Sequence, residues 1–270
     1  MIHVAYAPKA PLDRFVDSFW AAGEYVAEAP RERVLPNGMH TLVIVLGERP
    51  LLNYYPSEDA SAPVAVPGAV LCGTRQTPLV IGTSFGATVG VHFKPGGARP
   101  FFDVRADELT EQAVPLEALW GADARLLRER LHGAPTPRER VRILESFLLT
   151  RVRPSRDLAP ALRLALQAFE DPWLESVAEV NRRTGLSAKQ LLARFRDEVG
   201  LSPKAFWRVR RFRAALAALD SGARGAALAS HLGYADQPHF LREFKAMAGS
   251  PPGEFLATRV TGTDHVSVYR

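Results

Sequence analysis

Two groups of residues in the last third of the sequence combine basic and apolar side chains at helical spacing. Both groups follow the pattern i, i+3, i+4, i+7; they are Lys189, Leu192, Ala193 and Arg196, then Pro238, Leu241, Arg242 and Lys245. Such a spacing places each group on one face of a helix. An arginine fork can donate to O6 and N7 of guanine, an apolar group can contact the methyl group of thymine, and a lysine can bind a phosphate. Each face therefore has the chemistry to contact duplex DNA.

The helices that carry these two faces are predicted from local signals. Ser187 is followed three residues later by Gln190, which is the pattern of a capping box, and Asp236 precedes a proline in a first turn. Pro238 suits that turn because its missing N–H has no helical partner there. The opposite faces are apolar and are predicted to be buried; they carry Leu191, Phe195 and Val199 in the first helix and Phe240, Phe244 and Met247 in the second.

The two helices belong to an internal repeat. The segment ARFRDEVGLSPKAF at 193–206 aligns with REFKAMAGSPPGEF at 242–255 at an offset of 49 residues. In each copy a short helix, a glycine turn, a second helix and a Gly-x-x-Pro exit follow one another, which is the order of a helix-turn-helix unit. Between the copies, residues 203–222 predict one unbroken helix. Its arginine-rich run at 208–213 predicts one or two phosphate contacts.

These repeats resemble the two helix-turn-helix units of the AraC/XylS family of transcription regulators. The resemblance covers roughly residues 175–258 and is carried by LSAKQLLARFRDEVGLSPKAF and LGYADQPHFLREFKAMAGSPPGEF. It implies that both second helices enter successive major-groove segments of double-stranded DNA, and that RNA polymerase is a partner. The implied DNA-binding residues are Lys189, Gln190, Leu192, Ala193, Arg196, Gln237, Pro238, His239, Leu241, Arg242 and Lys245.

Within this set, the first face is poorer in polar groups than the second. Members of the family commonly carry long polar residues at its exposed positions, whereas Leu192 and Ala193 occupy two of them here. Because apolar side chains cannot form a bidentate pair with a base, we expect Lys189 to be the main polar reader of the first unit and Arg242 that of the second. The residues expected to contact phosphates or base edges beside them are Gln237 and His239.

The sequence also allows the two faces to have a structural role instead of contacting DNA. Leu192 and Leu241 could pack against neighbouring helices instead of DNA. Arg242 could form an ion pair with Asp236 or Glu243, as an ordinary surface residue does. The spacing is the same in both interpretations, so it does not separate them.

The first half of the sequence predicts strands. Short apolar runs separated by Pro, Gly and Thr predict them at TLVIVLG, AVLCGT, PLVIGTSF and TVGVHFKPGG. Helical spacing predicts a short helix at PLDRFVDSFWAA, and an αα-hairpin at PLEALWGADARLLRERLHG and PRERVRILESFLLTRV. We therefore expect an α+β chain with two domains: a small β-barrel or sandwich with appended helices over residues 1–155, and an all-α domain over residues 156–270, joined near Arg153–Asp157.

Two segments of this half, LPNGMHTLVIVLG and GVHFKPGGARPFF, resemble the N-terminal domain found in one branch of the same family. Such domains are cupin-like β-barrels followed by helices, and they usually sense a small molecule or mediate self-association. The resemblance therefore implies a small-molecule effector or a homodimer.

Charge is unevenly distributed along the chain. Residues 171–270 carry 15 Lys+Arg and 10 Asp+Glu, while residues 1–170 carry 19 of each. The whole net charge of +5 thus lies in the last hundred residues. This is the outline of a polyanion-binding module attached to a neutral one. The alternative is that a surplus of five charges is only a soluble surface.

A metal-dependent cupin enzyme with a helical accessory domain is the alternative from another functional class. The histidines and carboxylates considered for it are His3, His40, His92, His132, Glu24 and Glu32, which contain no H-x-H pair. Structural roles are expected for His40 and His92, and Cys72 is expected to be a small buried residue. No phosphate-binding loop or serine-hydrolase motif is present. The sequence therefore predicts no catalytic residue, no metal site and no cofactor.

The single cysteine excludes an internal disulfide and fits a reducing cytoplasm. The residues MIHVAYAPKAPLDRF lack the basic and apolar regions of a secretory signal, and no run approaches the roughly 20 apolar residues of a membrane span. We therefore expect a cytoplasmic protein without a membrane partner.

Overall fold

The computed structural model describes residues 3–23, 29–47, 51–83, 86–223, 225–258 and 265–268 of the chain. Glu24, one of the carboxylates considered above, lies outside these residues, as do the last two residues of the predicted strand PLVIGTSF. The described elements separate into two units. We call residues 3–156 the N-terminal unit and residues 157–258 the helical unit.

The strands pair antiparallel and form two sheets. They are β1 (His3–Tyr6), β2 (Val16–Ala22), β3 (Arg31–Val34), β4 (Thr41–Val45), β5 (Leu51–Tyr55), β6 (Val64–Pro67), β7 (Ala69–Cys72), β8 (Leu79–Gly82), β9 (Thr88–Phe93), β10 (Ala113–Pro115) and β11 (His265–Val268). The larger sheet has the order β1-β2-β9-β4-β7-β10, and the smaller sheet has the order β11-β3-β8-β5-β6. The four strands predicted from the sequence, now β4, β7, β8 and β9, are confirmed.

Alternation along β4 shows how the larger sheet is layered. Leu42 and Ile44 belong to the main core of the N-terminal unit, whereas Val43 and Val45 pack with residues of the smaller sheet. Successive side chains of a strand point to opposite faces, so the larger sheet has helices on one face and the smaller sheet on the other. The helices are α1 (Leu116–Trp120), α2 (Ala122–His132) and α3 (Pro137–Arg151).

The two sheets correct the expectation of a closed barrel. In the described part of the chain, β1 and β10 are the edges of the larger sheet, and β11 and β6 are the edges of the smaller one. A barrel has no such edges, because its first and last strands pair with each other. The N-terminal unit is therefore a two-sheet antiparallel arrangement. The α+β class and the αα-hairpin of α2 and α3 agree with the sequence analysis.

The predicted helix at residues 11–22 is wrong for most of its length. Only Leu12–Arg14 form a short 3-10 turn, and the residues from Val16 to Ala22 are strand β2. This strand pairs with β1 on one side and β9 on the other, with an irregular register between Val16 and Ser18. The turn and the irregularity break the two-residue period of the strand, so the inward apolar side chains recur at a spacing that imitates a helix.

The helical unit contains α4 (Pro160–Ala168), α5 (Val177–Thr184), α6 (Ala188–Arg194), α7 (Pro203–Asp220), α8 (Gly225–His231), α9 (Gln237–Ala248) and α10 (Pro252–Thr258). A π-helical turn, Phe195–Val199, extends α6. Their apolar faces share one core that includes Phe206, Phe212 and Phe244. The predicted repeat is therefore present as two helix-turn-helix units, α5–α6 and α8–α9, joined by α7.

The chain connects the two units at two places. Pro154–Arg156 form a short 3-10 turn at the predicted linker. After α10 the chain returns to the smaller sheet, where β11 pairs with β3. Leu35 and Val266, which flank this pairing, lie in the core of the helical unit. The two units therefore share apolar packing in addition to a linker.

Candidate nucleic-acid interface

The first recognition face is formed by α6, and the local signals predicted for it are present. Ser187 Oγ accepts from the backbone N–H of Gln190 at 3.3 Å, and Gln190 Oε1 accepts from the N–H of Ser187 at 2.9 Å. These two bonds complete the capping box. The apolar face of the helix and its extension is buried, as predicted for Leu191, Phe195 and Val199. Burial of that face directs the opposite face away from the core of the unit.

The second recognition face is formed by α9 and begins at Asp236. Asp236 Oδ1 accepts from the backbone N–H of His239 at 2.6 Å, and Pro238 lies in the first turn. The helix ends at Gly249, which has the left-handed φ of 82°. Its buried residues include Phe240, Phe244 and Met247, as predicted. Both recognition helices are thus oriented by the same combination of cap, apolar face and glycine exit.

Most residues of the two outward faces are exposed. The exposed residues are Lys189, Gln190, Ala193 and Arg196 on α6, and Gln237, Pro238, Leu241, Arg242 and Lys245 on α9. Leu192 and His239 are half-buried. Leu241 exposes 37% of its surface, so neighbouring helices leave room for a ligand against it. His239 turns inward: its ring packs edge-on against Tyr234, and its Nε2 lies 3.6 Å from Oε1 of Glu243.

Glu243 anchors α9 to α7. Its carboxylate accepts from Nε of Arg208 at 2.7 Å and from Nη2 of Arg211 at 3.1 Å. Asp236 is engaged as the cap of α9 and Glu243 by these two arginines. Among the described residues, no carboxylate lies within ion-pair distance of Arg242. The pairing that would make Arg242 an ordinary surface residue is therefore not formed.

The arginine-rich run of α7 is engaged in structural ion pairs. Arg208 and Arg211 bind Glu243, and Arg210 pairs with Glu170. Arg211 also lies over the ring of Tyr234, 4.4 Å from its centroid. The recognition faces differ from this run, since no described carboxylate pairs with their cations, which are Lys189, Arg196, Arg242 and Lys245. The cations of these two faces are thus available to a polyanion, whereas Arg208, Arg210 and Arg211 of α7 are engaged.

A groove of about 600 Å³ separates α6 from the N-terminal unit. Its α6 wall carries Lys189 and Arg196, and its opposite wall carries Arg99 and Arg105, which the sequence analysis did not single out. Arg99 Nη2 donates to Oδ2 of Asp197 at 3.0 Å. The only local signal for Arg99 is its place in the glycine-rich turn after β9, which does not indicate what the turn faces.

A second cleft of about 600 Å³ lies between the two units. Met39 and His92 line it from the N-terminal unit, and Trp207, Arg210 and Arg213 line it from α7. This volume falls within the range of small-molecule sites, and the lining combines apolar and polar side chains as such sites do.

The histidines and the cysteine considered for catalysis in the first half of the chain are His40, His92 and Cys72, and each is buried or contacts a neighbouring side chain. Burial lowers the pKa of His40 to about 4, and the backbone of Ala106 partly opposes this effect. His92 Nδ1 lies 3.0 Å from Oγ1 of Thr41. Burial raises the pKa of the Cys72 thiol, which disfavours the nucleophilic thiolate. Among the described residues, no three or more His, Cys, Asp or Glu side chains are grouped so that they could hold a metal ion.

One family model matches the second helix-turn-helix unit and all but the start of the first. That model is described as a helix-turn-helix domain and matches residues 180–258. The chain therefore carries an AraC-type helix-turn-helix domain. It is a DNA-binding transcription regulator. The N-terminal unit matches a domain of unknown function, DUF6597, over residues 4–115. Comparison with curated protein sequences gave no match.

Among solved structures, the chain resembles ToxT from Vibrio cholerae. The structure of wild-type ToxT with an unsaturated fatty acid bound is 11% identical, has a TM-score of 0.50, and matches over 92% of this chain and 98% of ToxT. A 1.65 Å structure of ToxT is 10% identical, has a TM-score of 0.49, and matches over 88% of this chain and 98% of ToxT. The likeness to the fatty-acid-bound structure, at 11% identity, shows that the two chains share a fold.

None of the described helices is both long and apolar enough to cross a bilayer.

Proposed function

We propose that this AraC-type regulator binds one face of duplex DNA by placing α6 and α9 in successive segments of the major groove. The observation that carries the proposal is that two faces, equivalent in the repeat, carry cations with no carboxylate partner among the described residues, whereas Arg208, Arg210 and Arg211 of α7 have such partners. Such cations bind phosphates and base edges without first breaking an ion pair.

The residues of α9 have distinct roles in this proposal. Arg242 is exposed and has no ion-pair partner among the described residues, so its fork is available to O6 and N7 of guanine. Lys245 lies one turn further along the same face and contacts a phosphate. Leu241, which is exposed on the same face, contacts a thymine methyl group. Gln237 and Pro238 at the start of the helix lie against the DNA backbone.

The residues of α6 make fewer base contacts. Lys189 is the polar reader, Arg196 binds a phosphate, and Ala193 permits close approach of the helix. Gln190 is largely committed to the capping box. The first unit therefore contributes more to affinity and positioning than to base discrimination.

Helix α7 holds the two recognition helices in one rigid arrangement. Phe206 packs on Phe195 with ring centroids 5.7 Å apart, and Phe212 packs on Phe244 with centroids 5.3 Å apart. An 18-residue helix is stiff over its length of about 27 Å. The two faces therefore approach DNA as a single surface, and a binding site should consist of two segments at a fixed spacing.

Selection of duplexes from a random pool with the purified full-length protein tests the proposal. We expect a bipartite site whose affinity falls with salt at a log-log slope of about −0.9 for each phosphate contacted. A folded protein that enriches no sequence and shows no salt-dependent binding at low ionic strength contradicts it. The predicted partner RNA polymerase is tested with the same duplex, by asking whether the enzyme and the regulator bind it together.

Control by a small molecule is the second part of the proposal, with the cleft between the units as its site. The cleft contacts both the N-terminal unit and α7, so an occupant stabilises one arrangement of the two. The related fold of ToxT has been solved with an unsaturated fatty acid bound, which makes fatty acids the first compounds to test.

Thermal unfolding of the full-length protein with a panel of fatty acids and other small organic acids tests this control. A binding compound should raise the melting temperature of the wild-type protein. Ala214→Trp places a large ring at an exposed position that lines the cleft, and should abolish the response. A response that survives this substitution places the ligand elsewhere. Sedimentation of the same samples tests the proposed homodimer, and the location of a tagged chain in cells tests the expected cytoplasmic localisation.

A further inference from the structure

The first recognition face lacks polar groups at its centre, and the N-terminal unit supplies charge beside it. On this face Leu192 and Ala193 separate Lys189 from Arg196. Across the groove, the side chain of Arg105 is 56% exposed, and its Nε lies 4.0 Å from Oδ1 of Asp197 at the end of α6. Arg105 thus stands at the border of the recognition face, although it belongs to the other unit.

The segment that carries Arg105 is fixed to the end of the first recognition helix. Thr110 Oγ1 donates to the backbone carbonyl of Gly200 at 2.7 Å. Arg99 Nη2 donates to Asp197 at 3.0 Å, and its Nη1 lies 3.9 Å from Glu198. These contacts join residues 99–110 to the end of α6 in this arrangement of the two units, so an α6 that lies in a DNA groove brings this segment beside the same DNA.

The charges along the groove favour a polyanion. Five basic side chains and two acidic ones line it; the basic ones are Arg99, Arg105, Lys189, Arg194 and Arg196, and the acidic ones are Asp197 and Glu198. Both acidic groups are already engaged, by Arg99 and by Arg194 at 3.5 Å. Basic side chains therefore outnumber acidic ones in the groove, and of the two arginines on the wall of the N-terminal unit, Arg105 is the more exposed.

We infer that Arg105 of the N-terminal unit binds a DNA phosphate beside the segment read by α6, so that both units contribute to the DNA interface. The inference rests on the proposed function. Arg105 makes two bonds to Asp107, at 2.9 and 3.0 Å, and a phosphate has to compete with this bidentate pair for the guanidinium, which is 56% exposed. The bonds from Arg105 hold the pKa of the Asp107 carboxyl below its usual value, and the charge of Arg196 contributes to the same effect.

Two substitutions in the full-length protein test the inference in opposite directions on the selected duplex. Arg105→Ala removes one phosphate contact. When the salt is raised from about 50 to about 200 mM, the affinity of the wild-type protein for DNA should therefore fall about 3.5-fold more than the affinity of the variant. The difference should be the same on the specific duplex and on an unrelated one. Asp107→Asn frees Arg105 and should tighten binding on both duplexes.

Arg125→Ala is the matched control. Arg125 lies on α2, outside the groove; its side chain is 58% exposed and pairs with Glu117 of α1 at 3.2 Å. This substitution should leave binding unchanged. If Arg105→Ala and Asp107→Asn both behave like this control while Lys245→Ala weakens binding, the inference is wrong and the proposed function stands. If the wild-type protein binds no duplex, both are wrong.

Discussion

Gly200 and Gly249 occupy equivalent places at the exits of the two recognition helices, 49 residues apart, and both lie against the N-terminal unit. Their φ angles are 94° and 82°. A Cβ added at Gly200 would lie 2.6 Å from Thr74 Oγ1, and one added at Gly249 would lie 2.5 Å from Nη1 of Arg33. The repeat therefore uses the same position twice, once in each unit, to seat the helical unit on the sheets.

Substitution of these glycines should destabilise the protein by more than backbone strain. Gly200→Ala adds a left-handed alanine, which costs about 1–2 kcal/mol, and a steric conflict with Thr74 and a backbone carbonyl. Gly185→Ala is the matched control, because its φ is 70° but no atom lies within 4 Å of an added Cβ. Urea unfolding should show the larger loss for Gly200→Ala. Equal losses would mean that the contact with the N-terminal unit adds nothing.

Arg242 should determine preference at a single base pair. Arg242→Ala is expected to cost about 1–3 kcal/mol on the best site and to relax the preference there, because the bidentate contact with guanine is lost. Selection of duplexes with the variant measures this directly. An unchanged consensus together with unchanged affinity would show that the outward face of α9 does not read bases.

Lys245 should behave differently from Arg242, although both lie on α9. Lys245→Ala is expected to weaken all duplexes about equally and to reduce the salt slope by about one, because a phosphate contact carries no sequence information. Titrations at several salt concentrations measure the slope. Lys204→Ala on α7, an exposed lysine outside the two recognition faces, is the control and should leave the slope as it is.

Glu243 should affect DNA binding through the position of α9. Glu243→Gln keeps the shape of the side chain but weakens the bonds from Arg208 and Arg211, so α9 is held less firmly on α7. Partly buried charged hydrogen bonds of this kind contribute about 1.5–3 kcal/mol each. We expect a lower free energy of unfolding and weaker binding to the specific duplex. The salt slope of binding to unrelated duplexes should stay the same or become steeper, because Arg208 and Arg211 are freed. A fall in that slope would instead make Glu243 part of the electrostatic contact.

His40 should make the protein less stable in acid. The unfolded chain binds a proton to this residue near pH 6.5, whereas the folded protein does so only near pH 4. The unfolded state therefore binds more protons between these values, and stability falls as the pH is lowered through them, by about 2 kcal/mol at pH 5. His40→Gln should flatten this part of the curve of unfolding free energy against pH, while His132→Gln, at an exposed position, should not.

The helical unit could be predicted because its rules are local. The caps at Ser187 and Asp236, the apolar spacing of each helix and the glycine exits all lie within a few residues of what they specify. The repeat then supplied a second, independent reading of the same pattern. For these reasons the positions of the recognition faces followed from the sequence before any contact was known.

The contacts between the units could not be predicted in this way. Arg33 is 215 residues from Ala248, whose carbonyl accepts from its Nη1 at 2.6 Å, and nothing in the local sequence of β3 indicates this partner. Likewise, HVSV at 265–268 is too short to predict as a strand without its partner β3. The error at residues 11–22 has the same origin, since pairing with β1 and β9 overrides the local helical spacing.

The pairing of β11 with β3 also decides how the regulator can move. The chain enters the helical unit after α3 and, beyond α10, re-enters the smaller sheet through β11, so the helical unit is attached to its partner on two sides. A body attached at one point can turn in any direction, but a body attached at two points turns only about the line between them. While β11 stays paired with β3, a signal from the cleft can therefore reach α6 and α9 only by rotation of the helical unit about the line through its two attachments.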